Sequence, residues 1–252
     1  MDKKNFKLAI AQLNTKYCDI KSNLEKHVRY ISDAANNDAE IILFPELSLT
    51  SYHRYFTDEY LFDYNDTIFD IFKRTSIEKK IIIVYGIPLK IKSKVFIASV
   101  VQFPNGDKEI YCKNNLHEGE EVFFDEGNGL TLINIGQEKI FFGICYDIEI
   151  EEHIKKAVEL NATIYASSIF YSENGIKGLK NKLKYYVDKY KIDIAISNYV
   201  GKVWEQDAGG TSMYWDKNGD CIGSCDKFKE SILFCSKAED NWSTETKILN
   251  YD

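Results

Sequence analysis

The run Ile41-Ile42-Leu43-Phe44-Pro45-Glu46 decides how this chain is read. Four consecutive large apolar residues leave no polar face, which suits a short strand covered on both sides. A carboxylate directly beyond such a strand is placed to point into a pocket. Burying it without a purpose or a partner would be expensive.

Working outward, Phe6, Leu8 and Ile10 alternate as in a strand. Leu24, Val28, Ile31 and Ala35 follow at helical spacing, with Asp19 or Ser22 available as the cap. Downstream, the reading continues with a helix over about 67–77 and a strand over 81–86. A hairpin then turns at Pro104-Asn105-Gly106-Asp107, between strands at 95–103 and 109–112. A second hairpin joins 130–135 to 139–144. Helices at about 151–160 and 179–190 then alternate with strands at 163–166 and 192–197, and short strands at 211–215, 221–224 and 231–236 close the chain. Early βαβ units followed by hairpins predict an α/β fold of two sheets with helices on their outer faces. Residues 239–252 are polar and read as an arm or a loose tail.

Two further strand ends carry reactive side chains. Lys113 ends the strand at 109–112, with Glu120 seven residues on in an acidic cluster. Cys145 ends Ile140-Phe141-Phe142-Gly143-Ile144, just before a helix. A cysteine at a strand-to-helix turn suits a nucleophile whose thiolate is helped by backbone N–H groups or a nearby cation. Taken singly, each residue has a plainer reading: Glu46 as a cap or a lysine's partner, Lys113 as an exposed strand end, Glu120 as a solvated loop residue, Cys145 as a core residue.

Together, Phe44-Pro45-Glu46-Leu47, Tyr111-Cys112-Lys113 and Gly143-Ile144-Cys145-Tyr146-Asp147 resemble, in order, the three signature segments of the nitrilase superfamily, the carbon–nitrogen hydrolases. Further similar pieces are Leu116, Glu120, Phe124 and Gly127 after Lys113, then Ser197-Asn198-Tyr199-Val200-Gly201, and Gly210-Thr211-Ser212 with Asp216 and Gly219. The resemblance implies a four-layer α-β-β-α sandwich over residues 1–238, often assembled as a homodimer or higher homo-oligomer. It implies Glu46 as general base, Lys113 as the cation, Cys145 as nucleophile and Glu120 in a supporting role. The expected reaction is hydrolysis of a small non-peptide amide through a thioester, needing no cofactor and no metal. Tyr52, Tyr146 and Phe170, with Tyr171, flank the signature segments and are the candidate substrate contacts. None of the four histidines sits in a place that matches the family's site.

After Asp147 the chain departs from the Arg-Phe-Pro-Glu found in many relatives and reads Ile148-Glu149-Ile150-Glu151-Glu152. Facing inward, these acids would disfavour anionic substrates. At a helix start they are simply favourable, which is the expectation here. The helix before Ile192 also lacks the arginine and glutamate common in relatives, so substrate identity does not transfer. Two alternatives stay open: a glutaminase-type subunit supplying ammonia to a partner protein, and a non-catalytic scaffold relative.

Bulk composition narrows the remaining classes. The 252 residues carry a net charge of −7, which disfavours nucleic acid and anionic lipid as partners. No apolar run is long enough to span a bilayer, and Met1-Asp2-Lys3-Lys4-Asn5 lacks signal-peptide character, so a cytoplasmic location is expected. Six scattered cysteines form no convincing zinc spacing with the histidines, and five of them read as small buried apolar residues.

Overall fold

A computed structural model of the chain describes residues 5–249. Along the chain, β1 (Phe6–Gln12) leads through α1 (Ile20–Asn36) to β2 (Ile41–Leu43). The two-residue β3 (Phe62–Asp63) and α2 (Ile68–Lys79) precede the meander β4 (Ile82–Ile91), β5 (Lys94–Gln102) and β6 (Lys108–Cys112). The second half runs β7 (Leu132–Ile135), β8 (Glu138–Ile144), α3 (Glu151–Glu159), β9 (Ile164–Ser168), α4 (Glu173–Tyr190) and β10 (Asp193–Ser197). The small hairpin β11 (Lys202–Val203) and β12 (Gln206–Asp207) follows, then β13 (Met213–Trp215), β14 (Cys221–Ser224), β15 (Ser231–Ala238) and β16 (Asn241–Ile248).

Two mixed sheets result. The first has the order β16-β15-β1-β2-β4-β5-β6, with β3 beside β4; the second has the order β14-β13-β10-β9-β8-β7. The strand read as two-sided is so: Ile41–Leu43 is buried throughout, as is Asp193–Ser197 of the second sheet. Alternate residues of the first sheet pack in opposite directions. Ala9, Ile42, Ile83 and Tyr85 meet Tyr30 and Ile31 of α1 and Phe69 and Phe72 of α2. Leu8, Ile10, Leu43 and Val84 join a larger core with Ile144, Ile194 and Met213 of the second sheet and Ile154, Leu183 and Val187 of α3 and α4. The layers are therefore α-β-β-α.

The sheets are pinned where the site lies. Ser168 and Ser197 are register partners in β9 and β10. Their hydroxyls donate across the sandwich to the carbonyls of Phe44 and Ala11 at 2.7 and 2.6 Å. Each bond is buried, so truncating either serine would strand a carbonyl at a cost of about 1–3 kcal/mol.

Several boundaries differ from the sequence reading. Of the two caps offered for α1, Asp19 is the one used, accepting from Ser22 N at 3.2 Å, as expected. Helix α4 begins at Glu173, six residues before the apolar spacing becomes helical, because its first turns hold Gly175 and Gly178 and bury little besides Ile176. Of the residues read as an arm or tail, 241–248 pair along their whole length with β15; Asn250 to Asp252 lie outside the described residues, as do Met1 to Lys4. Edge strand β16 exposes most of both faces, so it lacks the apolar alternation that marks a strand in sequence. Not all five remaining cysteines are buried: Cys225 and Cys235 are, Cys18 and Cys112 are partly exposed, and Cys221 on edge strand β14 is exposed. No helix among the described residues is long and apolar enough to cross a membrane.

Candidate active site

Glu46 follows β2 in a turn held hard against β4. Phe44 N donates to Val84 O at 2.9 Å and Leu49 N to Gly86 O at 3.0 Å. A Cβ on Gly86 would clash with the Leu47 backbone, so only glycine permits this approach. Ser48 Oγ accepts from Gly86 N at 3.1 Å and lies 2.9 Å from His27 Nε2. Burial lowers the His27 pKa to about 4, so the ring is neutral. Its Nδ1 donates to Asn23 O at 2.7 Å, which leaves Nε2 to accept from Ser48. Across the sandwich, Tyr199 donates to the Glu46 carbonyl at 2.5 Å.

Lys113 leaves β6 with its N–H on Ile97 O and its carbonyl accepting from Gly127 N, both at 2.8 Å. Cys145 leaves β8 with φ 45°, an uncommon conformation for a residue with a side chain. The turn is held by Asp147, a buried carboxylate that accepts from Ile144 N at 2.9 Å, Asn115 N and Nδ2 at 2.9 Å, and Tyr111 OH at 2.6 Å. Asp147 thus ties the Cys145 turn to the segment after Lys113. Behind it, Tyr111 accepts from His153 Nε2 at 2.9 Å, and His153 Nδ1 accepts from Tyr165 at 2.8 Å. That polarity fits a neutral imidazole, and burial does lower the His153 pKa.

These strand ends meet. Lys113 Nζ lies 2.7 Å from Glu46 Oε1 and 2.9 and 2.8 Å from the two oxygens of Glu120, and all three side chains are fully buried. Glu120 also accepts from Tyr52 OH at 2.8 Å and His117 N at 2.7 Å. Glu46 Oε2 is buried and has no hydrogen-bond partner among the protein groups. Cys145 Sγ lies 3.6 Å from Phe170 O.

One ammonium between two carboxylates leaves a surplus negative charge in a dry place. Burial raises the Glu46 pKa; the charge of Lys113 opposes that, Glu120 adds to it, and the Lys113 hydrogen bond and the neighbouring Cys145 thiol lower it, with the balance at about 7. Burial works against the charge on Lys113, but Glu46, Cys145 and Glu120 outweigh it and hold its pKa above the usual lysine value. Burial, then the charge of Glu46, push the Cys145 thiol well up, against the pull of Lys113. The thiol is thus held in its protonated form, near a carboxyl raised to about 7.

A cavity of about 290 Å³ opens onto Cys145 and Glu120. The expected contacts Tyr52, Tyr146, Phe170 and Tyr171 all line it, with the Tyr52 and Phe170 rings 4.8 Å apart. Six wall residues had no signal in the sequence reading: Arg54, His117, Ser172, Gly175, Trp204 and Gln206. Arg54 and Trp204 look like ordinary loop residues until the chain brings them together. His117 is on the wall but reaches Arg54, at 3.2 Å, and not the sulfur.

The two departing acids separate. Glu151 starts α3, where Lys189, Tyr185 and Tyr190 reach it at 2.6, 3.0 and 2.8 Å. Glu149 does not start that helix. It ends the short 3-10 turn after Cys145 and faces the cavity, bonded to Tyr171 OH at 2.6 Å and ion-paired with Lys182. Its charge is thus matched by a lysine on α4. Among the described residues no group of three or more His, Cys, Asp or Glu side chains is arranged to hold a metal ion.

The model of the carbon-nitrogen hydrolase family matches residues 7–236. The chain is 24% identical over 235 residues to a glutamine-dependent NAD(+) synthetase of Aquifex aeolicus, covering 90% of this chain and 41% of that protein. It is 27% identical over 151 residues to a nitrilase of Pyrococcus abyssi, covering 56% of each. The chain thus spans less than two thirds of the length of these curated relatives. Its fold superposes on a cysteine-to-alanine variant of the amidase from Nesterenkonia sp. AN1 in complex with butyramide. The TM-score is 0.82 at 18% identity, covering 93% of this chain and 92% of the amidase.

Proposed function

This chain belongs to the carbon–nitrogen hydrolase family, and from that premise we propose that it cleaves the amide bond of a small non-peptide substrate through a thioester on Cys145. The observation that carries the reading is the unpartnered Glu46 Oε2, buried in a cluster in which Lys113 takes the other oxygen and the Cys145 thiol is near enough to feel the charges of both.

Glu46 takes the thiol proton, and the thiolate attacks the carbonyl carbon. The tetrahedral oxyanion is stabilised by the charge of Lys113 and by the backbone N–H of Tyr146; removing one such donor typically costs about 3 kcal/mol. The proton on Glu46 passes to the leaving nitrogen as the C–N bond breaks, releasing ammonia or an amine. Glu46 then removes a proton from water, the resulting hydroxide attacks the thioester, and the acid leaves as the proton returns to sulfur. Glu120 holds Lys113 in place throughout and is itself held by Tyr52. A cavity of about 290 Å³ sits at the low end for small-molecule sites, in keeping with a compact substrate.

Acid-quenching the native protein during turnover of an amide library, followed by mass spectrometry, should find an acyl adduct on Cys145. Hydrolysis surviving Cys145→Ala would overturn the proposal. A second reading, a glutaminase-type supplier of ammonia, is favoured by the similarity to glutamine-dependent NAD(+) synthetases. Turnover of free glutamine ahead of other primary amides would select it.

A further inference from the structure

Every charged side chain on the cavity wall has a protein counter-charge except one. Glu120 is paired with Lys113, and Glu149 with Lys182. Arg54 forms no ion pair among the described residues, although its position is built. Its guanidinium lies over the Trp204 ring, 4.5 Å from the centroid. Its Nη2 is 3.2 Å from His117 Nδ1. On the other side it packs so closely on Gly119 that a Cβ there would come within 2.5 Å of Nη1. Its Nε is buried and has no hydrogen-bond partner.

A guanidinium stays ionised at any working pH and presents its N–H groups as a planar fork that matches a carboxylate. Aromatic and glycine walls hold the fork rigid without neutralising it. A buried donor with nothing to bond is costly, and a bound oxyanion would remove that cost. From this, and resting on the amide-hydrolase reading above, we propose that Arg54 is the receptor for a carboxylate on the substrate. The protein then acts on amides whose far end is acidic, such as monoamides of short dicarboxylic acids, ahead of neutral aliphatic amides. Glu149 does not oppose this, because Lys182 and Tyr171 already occupy its oxygens.

The test uses malonamate, succinamate and glutaramate, each beside its uncharged isostere in which an isopropyl group replaces the carboxylate. Calorimetry on the Cys145→Ala protein reads binding without turnover. At least one acidic amide should bind about tenfold to a hundredfold tighter than its isostere, the span of a charge-assisted hydrogen bond. With Arg54→Gln added, the preference should fall towards unity; Arg54→Lys should restore part of it. In the enzyme with Cys145 intact, the same preference should appear in kcat/KM, chiefly through KM. Equal binding of acidic and neutral amides, or a preference that survives Arg54→Gln, would overturn the receptor. Hydrolysis of the amides without any acidic preference would sink the receptor and leave the hydrolase reading standing. Arg54-dependent binding with no ammonia released by the native protein would do the reverse.

Discussion

Lys113 donates to only one oxygen of Glu46: Nζ lies 2.7 Å from Oε1, while Oε2 is buried and unpartnered. A purely structural ion pair in a dry core would use every oxygen lone pair it could, since an unmade bond there is costly. The free oxygen is the one available to a thiol proton, and a single substitution separates the two roles.

Glu46→Gln keeps an oxygen for Lys113 and removes the base. Turnover of the best amide should fall by about a hundredfold to ten-thousandfold, the usual worth of a positioned general base. The thermal midpoint should hold at acidic pH, where the native carboxyl is itself protonated. A variant retaining more than about a tenth of the native rate would show that the thiol proton goes elsewhere.

The pH dependences of rate and stability should run in opposite directions. Glu46 titrates at about 7 in the folded protein against about 4.5 for an ordinary glutamate, so the folded state holds the proton more tightly than the unfolded one. Its contribution to stability is therefore complete below about pH 4.5 and is lost as pH rises through about 7. The base, by contrast, works only when ionised, so kcat/KM should climb over the same interval. Denaturant midpoints of the native protein, measured relative to Glu46→Gln, should decline across that window. A flat difference would contradict the assignment.

Lys113→Met leaves Glu46 and Glu120 buried with no cation between them. Breaking a buried pair in this way typically costs about 3–5 kcal/mol. Equilibrium unfolding should show a loss of that order, and adding Glu46→Gln should recover part of it, because the two sites share one cluster. Strict additivity would mean that the carboxylates do not depend on this lysine.

Gly86→Ala tests how the Glu46 turn is seated. The added methyl would collide with the Leu47 backbone rather than with a side chain that can swing away. Overpacking of this kind costs about 1–3 kcal/mol. Displacing the turn by about 1 Å would lower kcat by roughly a hundredfold. A fully active, fully stable variant would show that the turn has slack.

Asp147→Asn removes one acceptor oxygen from a carboxylate that holds Ile144, Asn115 and Tyr111 together. At least one donor loses its partner, at about 1–3 kcal/mol. The Cys145 turn should loosen, visible as reduced turnover alongside a lower thermal midpoint. Tyr111→Phe, which deletes a single donor, should show a smaller effect in both.

Much of this protein was legible as sequence because its strands are buried on both faces. Ile41–Phe44 and Ile140–Ile144 cannot be read as anything solvated, so Glu46 and Cys145 stand out at their ends as polar groups facing an apolar interior. Lys113 and Glu120 were less distinct. A lysine ending a strand and a glutamate in an acidic loop have nothing local to mark them as fully buried, and only the resemblance to a family singled them out.

The sequence by itself determined the order of the main strands and helices, though not the short β3, β11 and β12 or the edge strand β16, and which strand ends carry a carboxylate, an ammonium and a sulfur, because periodicity and apolar runs are local properties. Tertiary structure alone decided that β16 closes the first sheet and that Glu149 turns into the cavity onto Lys182. It alone seated Arg54 against Trp204 and Gly119 without a counter-charge. Those outcomes depend on which side chains, distant in the chain, come within a few ångströms of one another, and neither spacing nor composition encodes that distance.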